Sequence, residues 1–209
     1  GDDIRPSTAV WVGSSSQLLG VFRLSDEIRP DSAEAIKLLK AANIKPTLLS
    51  GDNTSVVTDV AARLGIETAS AEVLPEDKAK YVSDLQQQGY MVAMVGDGIN
   101  DAPALATADI AIAMGGGSDI AIDTASIALI QPSPLRVVDA ISISKATYAK
   151  IKQNLFWAFL YNVFALPLAA SGQLTPIIAG AAMALSSVSV VSNSLLLRRW
   201  RPHNRKSQS

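Results

Sequence analysis

The sequence predicts an α/β protein with a parallel sheet, followed by a hairpin of two apolar helices. Short β-branched or apolar runs alternate with helical patterns over residues 8–130. This alternation is typical of parallel βαβ units in a doubly wound sheet. Two acidic, glycine-containing segments, 50–52 and 96–101, directly follow strand-like runs, and the segment 154–197 contains no Asp, Glu, Lys, Arg or His.

The first predicted elements are a hairpin and a helix. Residues 8–12 and 18–24 are short β-branched and aromatic runs around a Gly-Ser turn, which favours a β-hairpin. Asp31, with Glu34 three residues later, resembles a capping box. The helix that follows is predicted to end near Asn43.

The same patterns predict the other elements of the α/β part. A helix over 54–64 is closed by Gly65, and Pro75 opens a helix that runs to about Gln88. The predicted strands are 47–49, 91–95, 109–113 and 127–130, with a further helix over 119–125.

Carboxylates follow the strand over 91–95. Asp97 leaves the strand end, Asp101 lies four residues later, and Gly96 and Gly98 let the backbone turn between them. Two close carboxylates repel each other unless a cation lies between them, and hard oxygen ligands favour Mg²⁺. An ordinary Asp-Gly turn is the alternative.

A second group of residues at the strand ends suits phosphate. Ser50 and Gly51 offer a hydroxyl and an unhindered N–H near a helix N-terminus, and Lys78 offers a positive charge for a transition state. Taken singly, Ser50 is more simply a helix cap and Lys78 a solvated surface lysine. Together with Asp97 and Asp101 they describe a phosphoryl-transfer site that lacks a convincing acceptor nucleophile.

The charges divide the chain into an acidic part, an uncharged part and a basic end. All nineteen acidic and thirteen of the eighteen basic residues precede Asn154, a formal charge of −6, and the other five are Arg198, Arg199, Arg201, Arg205 and Lys206.

Segments 154–171 and 176–197 are each close to the roughly 20 residues that span a bilayer. Positive flanks predict cytoplasmic outer ends and an external turn. A buried hairpin in a large soluble protein is the alternative, which the long uncharged run disfavours.

The composition also bounds the partners. Without cysteine, disulfides and thiolate metal sites are excluded within the chain. Because the basic tail adjoins a membrane segment, anionic lipid headgroups are a candidate partner beside a plain stop-transfer role. Nucleic-acid binding is not expected.

Several polar or sulfur-containing residues, Ser186 among them, interrupt the apolar hairpin. Tyr161 and Asn162 lie in the first segment, while Met183 and Ser187 lie four residues apart, on one helical face, in the second. Helix packing is one interpretation. The other is an ion site, because a thioether beside neutral oxygens suits Cu(I), whereas Zn²⁺ or Cd²⁺ is expected to require a carboxylate.

These motifs resemble those of a known family. The segments Ser50-Gly51-Asp52-Asn53, Leu74-Pro75-Glu76-Asp77-Lys78 and 94–106, which contains Gly96-Asp97-Gly98-Ile99-Asn100-Asp101, resemble the phosphorylation domain of P-type ATPases. That domain has the haloacid-dehalogenase fold, a Rossmann-like parallel sheet. The pair Tyr161-Asn162 and the segment 183–187 resemble the copper-transporting subgroup of the heavy-metal branch.

The resemblance implies a role for each matching residue. Asp97 would be the principal Mg²⁺ ligand, with Asp101 supporting it. Ser50, with Gly51, would hold the phosphoryl group, Lys78 would balance its charge, and Asp52 would belong to the motif that meets the nucleotide of ATP. The transport site for Cu(I) would include Tyr161, Asn162, Met183 and Ser187.

The resemblance also implies a domain plan and absent partners. Residues 1–16 would be an edge of the nucleotide-binding domain, 17–140 the C-terminal part of the phosphorylation domain, 141–198 a linker helix with the last two membrane helices, and 199–209 a cytoplasmic tail. The chain has no Asp-Lys-Thr-Gly-Thr segment. We therefore expect a fragment, inactive alone, of an integral membrane pump. Its partners would be the nucleotide-binding, actuator and earlier membrane segments, and its incomplete sheet would have a gap where the missing strand lies.

Other functions stay open from sequence. The chain could be a membrane-anchored phosphatase of the same fold, although it has no evident nucleophile. It could be a non-catalytic membrane-anchored protein of the haloacid-dehalogenase type. It could also belong to a pump for silver, zinc or cadmium.

Overall fold

The computed structural model describes residues 8–24, 27–97, 99–115 and 119–202 of the chain. The chain forms two compact units, residues 1–138 and 139–209. The strands are β1 (Thr8–Gly13), β2 (Leu18–Leu24), β3 (Thr47–Leu49), β4 (Thr68–Ser70), β5 (Ala93–Gly96), β6 (Ile110–Ala113) and β7 (Ile127–Ala128). The α-helices are α1 (Ser32–Ala41), α2 (Thr54–Leu64), α3 (Pro75–Gln87), α4 (Ala102–Thr107), α5 (Asp119–Thr124), α6 (Pro134–Ala170) and α7 (Pro176–Leu195).

The predicted β-hairpin is confirmed. Strands β1 and β2 pair antiparallel, with Trp11 opposite Val21, and the register shifts between Val12 and Gly13. Trp11 and Phe22 remain 65% and 64% exposed. The hairpin therefore buries little apolar surface within the described residues.

The parallel α/β arrangement is confirmed, but the strands form two separate ladders. Strand β3 pairs with β4, and β5, β6 and β7 pair in that order, all parallel. Among the described residues, no ladder joins β3 or β4 to the three later strands. This separation agrees with the gap expected from the sequence. Strand β4 was not predicted, since Thr68-Ala69-Ser70 has almost no apolar pattern.

Small apolar clusters hold the first unit together. Leu105 of α4 packs on Ala111 of β6, with Met94 and Ala125 against them. Leu105 is 1% exposed, and full burial of a leucine side chain contributes about 2 kcal/mol. Leu105 belongs to the segment that links β5 to β6, so its burial holds this segment against β6.

The start of α6 is anchored in a second cluster of the first unit. Leu135 and Val138 pack on Ala35 of α1, with Leu38 and Leu39 at the edge. All five residues lie before Asp139, within the first unit. The long helix α6 therefore begins within the first unit, residues 1–138, which is called the α/β unit below.

The predicted end of α2 at Gly65 was right, whereas its N-cap is Asn53 and not Ser50, and the predicted capping box of α1 was wrong. Asn53 accepts a hydrogen bond from Val56 N, and Gly65 ends the helix with φ +67°. Asp31 is the N-cap residue of α1, but its side chain makes no capping bond there. Its carboxylate instead accepts hydrogen bonds from the Ser133 hydroxyl and from Leu135 N. The capping-box prediction failed because a distant segment took up the carboxylate. Helix α1 ends at Ala41, close to the predicted end.

The second unit contains a helical hairpin. Helices α6 and α7 are joined by a short turn with Gly172 at φ +72°, and Thr175 Oγ1 caps α7 by accepting from Ile178 N. Among the described residues, one helix, Pro176–Arg199, is long and apolar enough to cross a membrane, judged by length and composition. The two-helix hairpin is thus observed, while the membrane-spanning role of residues 154–171 stays a prediction.

Candidate functional site

The turn after β3 is tied to the segment that leads into α3. Ser50 N donates to Ser70 O at 3.0 Å, Val73 N donates to Ser50 O at 3.0 Å, and Glu72 N donates to Asp52 O at 2.9 Å. Ser50 Oγ also donates to Asp52 Oδ2 at 2.7 Å and accepts from Asp52 N at 3.2 Å. Ser50 therefore does not cap α2, because Asn53 does so, and its hydroxyl instead orders the turn.

Lys78 and Asp101 form an ion pair. Lys78 lies in the first turn of α3, and Asp101 is the N-cap residue of α4. The distance from Lys78 Nζ to Asp101 Oδ1 is 2.8 Å, and the two side chains are 13% and 15% exposed. The interpretation of Lys78 as a solvated surface lysine is therefore wrong. The structure brings together two residues that the sequence separates by more than 20 positions.

Gly96 is required for the position of Asp101. A Cβ at Gly96 would lie 2.6 Å from Asp101 Cβ and 2.8 Å from Asp101 Oδ2. The acidic side chain thus folds back onto the end of β5, where a larger residue would displace it. Asp97 follows the same strand end and is exposed. Gly98 lies outside the described residues.

The carboxylates after β5 fit Mg²⁺ by donor chemistry. The described residues include no group of three or more His, Cys, Asp or Glu that could hold a metal. Mg²⁺ does not need such a cage, because it keeps several waters and is usually held by one or two carboxylates plus substrate phosphates. Asp97 and Asp101 are that number of carboxylates, and the Lys78 ammonium contacts one of them.

Two carboxylates with lowered pKa values, Asp109 and Glu67, lie away from the segment that follows β5. Val92 N donates to Asp109 Oδ2 at 2.8 Å, and this bond, with one from Gln86, lowers the pKa of Asp109. The hydrogen bond and charge of Lys40 lower the pKa of Glu67. Asp109 and Val92 precede β6 and β5, so this contact is at the opposite ends of the strands from Asp97.

A cavity lies between the two helices of the hairpin. Its volume is about 340 Å³. It is lined by Tyr161, Asn162, Ala165, Leu174, Ala179, Ala182, Met183, Ser186 and Ser187. The four hairpin residues singled out from the sequence therefore all border one space. The lining contains a thioether, neutral oxygens and small side chains, and it has no charged group.

Two polar side chains at this cavity turn their hydrogens towards their own helices. Asn162 Nδ2 donates to Ala158 O at 2.9 Å, and Ser187 Oγ donates to Met183 O at 3.0 Å. Asn162 Oδ1 and the lone pairs of Ser187 Oγ are left as acceptors. A set of acceptors beside a thioether is suited to a cation.

Polar contacts also join the two helices beyond the cavity, and the sequence analysis missed them. Lys150 Nζ donates to Asn193 Oδ1, Asn193 Nδ2 donates to Asn154 Oδ1, and Asn154 Nδ2 donates to Ser194 Oγ, each at 2.8 Å. Asparagines in an otherwise apolar segment are the signal that could have indicated them, because such residues commonly bond across helices. These bonds define the antiparallel register of the hairpin.

Comparison with known proteins establishes the family. A family model described as haloacid dehalogenase-like hydrolase matches residues 2–109. This is just over half of the chain, and the chain therefore belongs to the haloacid dehalogenase-like hydrolase family.

Individual relatives are heavy-metal P-type ATPases. The chain is 52% identical over 198 residues to a copper-exporting P-type ATPase of Vibrio cholerae, covering 91% of this chain and 22% of that protein. It is 50% identical to a probable copper-exporting P-type ATPase V of Mycobacterium tuberculosis, covering 94% and 26%. It is 48% identical to a probable copper-importing P-type ATPase A of Enterococcus hirae, covering 92% and 27%. The chain thus spans about a quarter of the length of these relatives.

Solved structures agree with this assignment. A zinc-transporting PIB-type ATPase in the E2.Pi state matches with a TM-score of 0.80 and 39% identity, covering 91% of this chain and 31% of that one. The catalytic domain of the CPx-ATPase CopB-B matches with a TM-score of 0.51 and 38% identity, covering 55% and 46%. The resemblance to P-type ATPases, and the haloacid-dehalogenase-like fold that it implies, are confirmed.

Proposed function

We propose that the chain acts as part of a P-type ATPase that moves Cu(I) across a membrane through an aspartyl-phosphate intermediate. The observation that carries the proposal is the uncharged cavity between α6 and α7, which Tyr161, Asn162, Met183 and Ser187 all border. A thioether and neutral oxygens suit a soft monovalent cation better than a doubly charged one. Ag(I) has the same chemistry and shares this prediction.

The composition of the cavity lining favours Cu(I) independently of the names of the relatives. The relatives described above include pumps named for copper, and the solved structure with the larger coverage is named for zinc. A carboxylate on the cavity wall would favour Zn²⁺, and the described lining has none. Because one copper relative is named an exporter and another an importer, the proposal specifies the ion and leaves the direction of transport open.

In this proposal, residues at and after the strand ends of the α/β unit form part of the phosphoryl-transfer site. Ser50 Oγ and Gly51 N–H would bind phosphoryl oxygens, and Asp52 would meet the nucleotide when ATP is bound. Asp97 would hold Mg²⁺ with support from Asp101, and a bound Mg²⁺ supplies charge neutralisation at the phosphoryl group. Lys78 lies against Asp101, and so would bring its ammonium to the same place. Each of these residues binds or orients charge, and none is an acceptor.

The acceptor is assigned to a part of the pump outside this chain. In the proposed reaction an aspartate carboxylate oxygen bonds to the γ-phosphorus of ATP as the bond to ADP breaks. The chain would be inactive alone, with the nucleotide-binding, actuator and earlier membrane segments as its partners. The α/β unit and the tail, residues 199–209, would be cytoplasmic, because basic residues flank the uncharged hairpin. The domain plan given from the sequence is part of the proposal.

A chimeric pump tests the proposal. This chain would replace the matching segment of the Vibrio cholerae ATPase, to which it is 52% identical. We expect phosphoenzyme from radiolabelled ATP, and ATP hydrolysis that rises with Cu(I) or Ag(I) and not with Zn²⁺. The native pump is the control for assay conditions. A membrane-inserted chimera that forms no phosphoenzyme contradicts the pump assignment, whereas stimulation by Zn²⁺ in place of Cu(I) contradicts only the ion.

A further inference from the structure

We propose that Ser189 is a positioning residue for the cavity: it holds the hydroxyl of Tyr161 so that the phenolic oxygen, and not its hydrogen, is presented to the cation. The inference rests on the proposed function, because it assigns a role in that same ion site. Ser189 itself is not part of the cavity lining. Its effect on the cavity would pass through Tyr161.

The contact joins the two helices at the edge of the cavity. Tyr161 OH lies 3.0 Å from Ser189 Oγ, and the contact is partly buried. Tyr161 lies on α6 and borders the cavity, while Ser189 lies on α7, two residues beyond the lining residue Ser187. The phenol is therefore held by the opposite helix and not by its own.

The neighbouring ligand candidates show why the direction of this bond matters. Asn162 and Ser187 each donate a hydrogen to a carbonyl of their own helix, at Ala158 and Met183 respectively. Their remaining lone pairs are the groups free to meet a cation. A hydroxyl that aims its hydrogen at a cation repels it, so each ligand needs an acceptor for its hydrogen elsewhere.

Tyr161 cannot use a backbone carbonyl in the same way. Its hydroxyl is at the end of a long rigid ring, away from the carbonyls of its own helix turn, whereas a helical serine hydroxyl reaches the carbonyl four residues earlier. Ser189 Oγ supplies the acceptor instead. Without Ser189 Oγ, the Tyr161 hydroxyl would donate its hydrogen to another oxygen of the cavity, such as Ser186 Oγ or Ser187 Oγ. That hydrogen bond would occupy a lone pair that the cation needs.

The first test addresses the contact without any pump activity. The full 209-residue chain is placed in detergent micelles, and ultraviolet resonance Raman spectra report whether a tyrosine hydroxyl donates or accepts. The difference between the wild-type chain and Tyr161→Phe isolates the signal of Tyr161. We expect a donor signature that Ser189→Ala removes and Ser189→Thr keeps. An unchanged Tyr161 signal in Ser189→Ala would overturn the proposal.

The second test addresses the role, in the chimeric pump. Loss of one hydrogen bond predicts that Ser189→Ala raises the Cu(I) concentration for half-maximal ATPase activity about fivefold, while the maximal rate changes less than about twofold. Ser189→Thr should restore the wild-type value. Tyr161→Phe combined with Ser189→Ala should be no worse than Tyr161→Phe alone. Ser192→Ala, at an exposed serine of the same helix, is the matched control.

The outcomes separate this inference from the proposed function. Normal Cu(I) stimulation with an unchanged half-maximal concentration in Ser189→Ala overturns the role of Ser189 and leaves the pump assignment standing. A fall in maximal rate alone, not rescued by threonine, would show that Ser189 is only structural. A wild-type chimera without metal stimulation overturns the transport assignment and this role with it.

Discussion

Lys78 of α3 and Asp101 at the start of α4 form a 2.8 Å ion pair that is largely shielded from water. The pair connects the helix that follows β4 to the segment that follows β5, and so connects the two separate parallel ladders. It also places a cation within contact distance of one of the two carboxylates predicted to serve Mg²⁺. The same contact therefore has a structural consequence and a functional one.

The structural consequence is that Lys78→Met should destabilise the α/β unit. Removal of one partner leaves a poorly solvated carboxylate without a counter-charge, which costs about 3 kcal/mol. Hydrogen–deuterium exchange of the full chain in detergent should show faster exchange in α3 and α4. Lys78→Met with Asp101→Leu should recover much of the loss, since no charge is then stranded. Equal exchange in the single variant and the wild type would contradict the prediction.

Asp97→Asn should abolish phosphoenzyme formation in the chimeric pump while leaving the fold intact. Asp97 is exposed, so its loss removes little packing, whereas loss of a charged group at a phosphoryl-transfer site costs about 100-fold or more in rate. Phosphoenzyme from radiolabelled ATP is the measurement. Asp84→Asn, an exposed acidic residue of α3, is the matched control. Normal phosphorylation of the Asp97 variant would refute the Mg²⁺ assignment.

Met183→Leu should weaken the response of the chimeric pump to Cu(I). The substitution keeps the volume and removes the sulfur, and loss of a contact of about 1.4 kcal/mol lowers affinity about tenfold. We expect the half-maximal Cu(I) concentration in the ATPase assay to rise by that factor. Leu185→Met adds a thioether at a residue outside the cavity lining, and it should have no effect. An unchanged Cu(I) dependence would mean that Met183 only packs.

Asp31→Ala should loosen the start of α6. The carboxylate accepts bonds from the Ser133 hydroxyl and Leu135 N, and loss of such a cap costs about 1 kcal/mol. Peptides covering residues 133–138 should exchange hydrogen faster. Glu34→Ala is the discriminating control, because a capping box would require Glu34 and the structure does not. If Glu34→Ala increased hydrogen exchange more than Asp31→Ala does, the capping-box interpretation would be supported instead.

Asp109 should make the α/β unit more sensitive to acid. Its pKa is lowered from 3.8, first by the hydrogen bond from Val92 N. A depressed folded-state pKa contributes stability above the unfolded value, and that stability is lost as pH falls through the folded value. The contribution of Asp109 is thus present above its ordinary pKa and is lost as the pH falls through its lowered folded-state pKa. Urea unfolding of Asp109→Asn should show a weaker fall in stability on acidification than the wild type. An identical pH dependence of both chains would contradict the assignment.

The sequence by itself determined the order and type of most elements. The helices that begin at Thr54 and Pro75 end within a residue or two of their predicted positions, because Asn53, Gly65 and Pro75 act through local backbone chemistry. The uncharged hairpin was equally clear, since a long run without charge is a local property of the chain. Motif resemblance then indicated the family, which the comparisons confirmed.

The tertiary structure decided which distant groups meet. Asp31 meets Ser133 across 102 positions, Lys78 meets Asp101 across 23, and Tyr161 meets Ser189 across 28. None of these pairs has a local signature, because each depends on how whole helices and strands pack. Strand β4 shows the same limit, since its three residues become a strand only through their ladder with β3. Periodicity and capping depend on residues that are neighbours in the chain. The contacts between distant residues depend instead on which side chains become buried and hydrogen-bonded when the helices and strands pack.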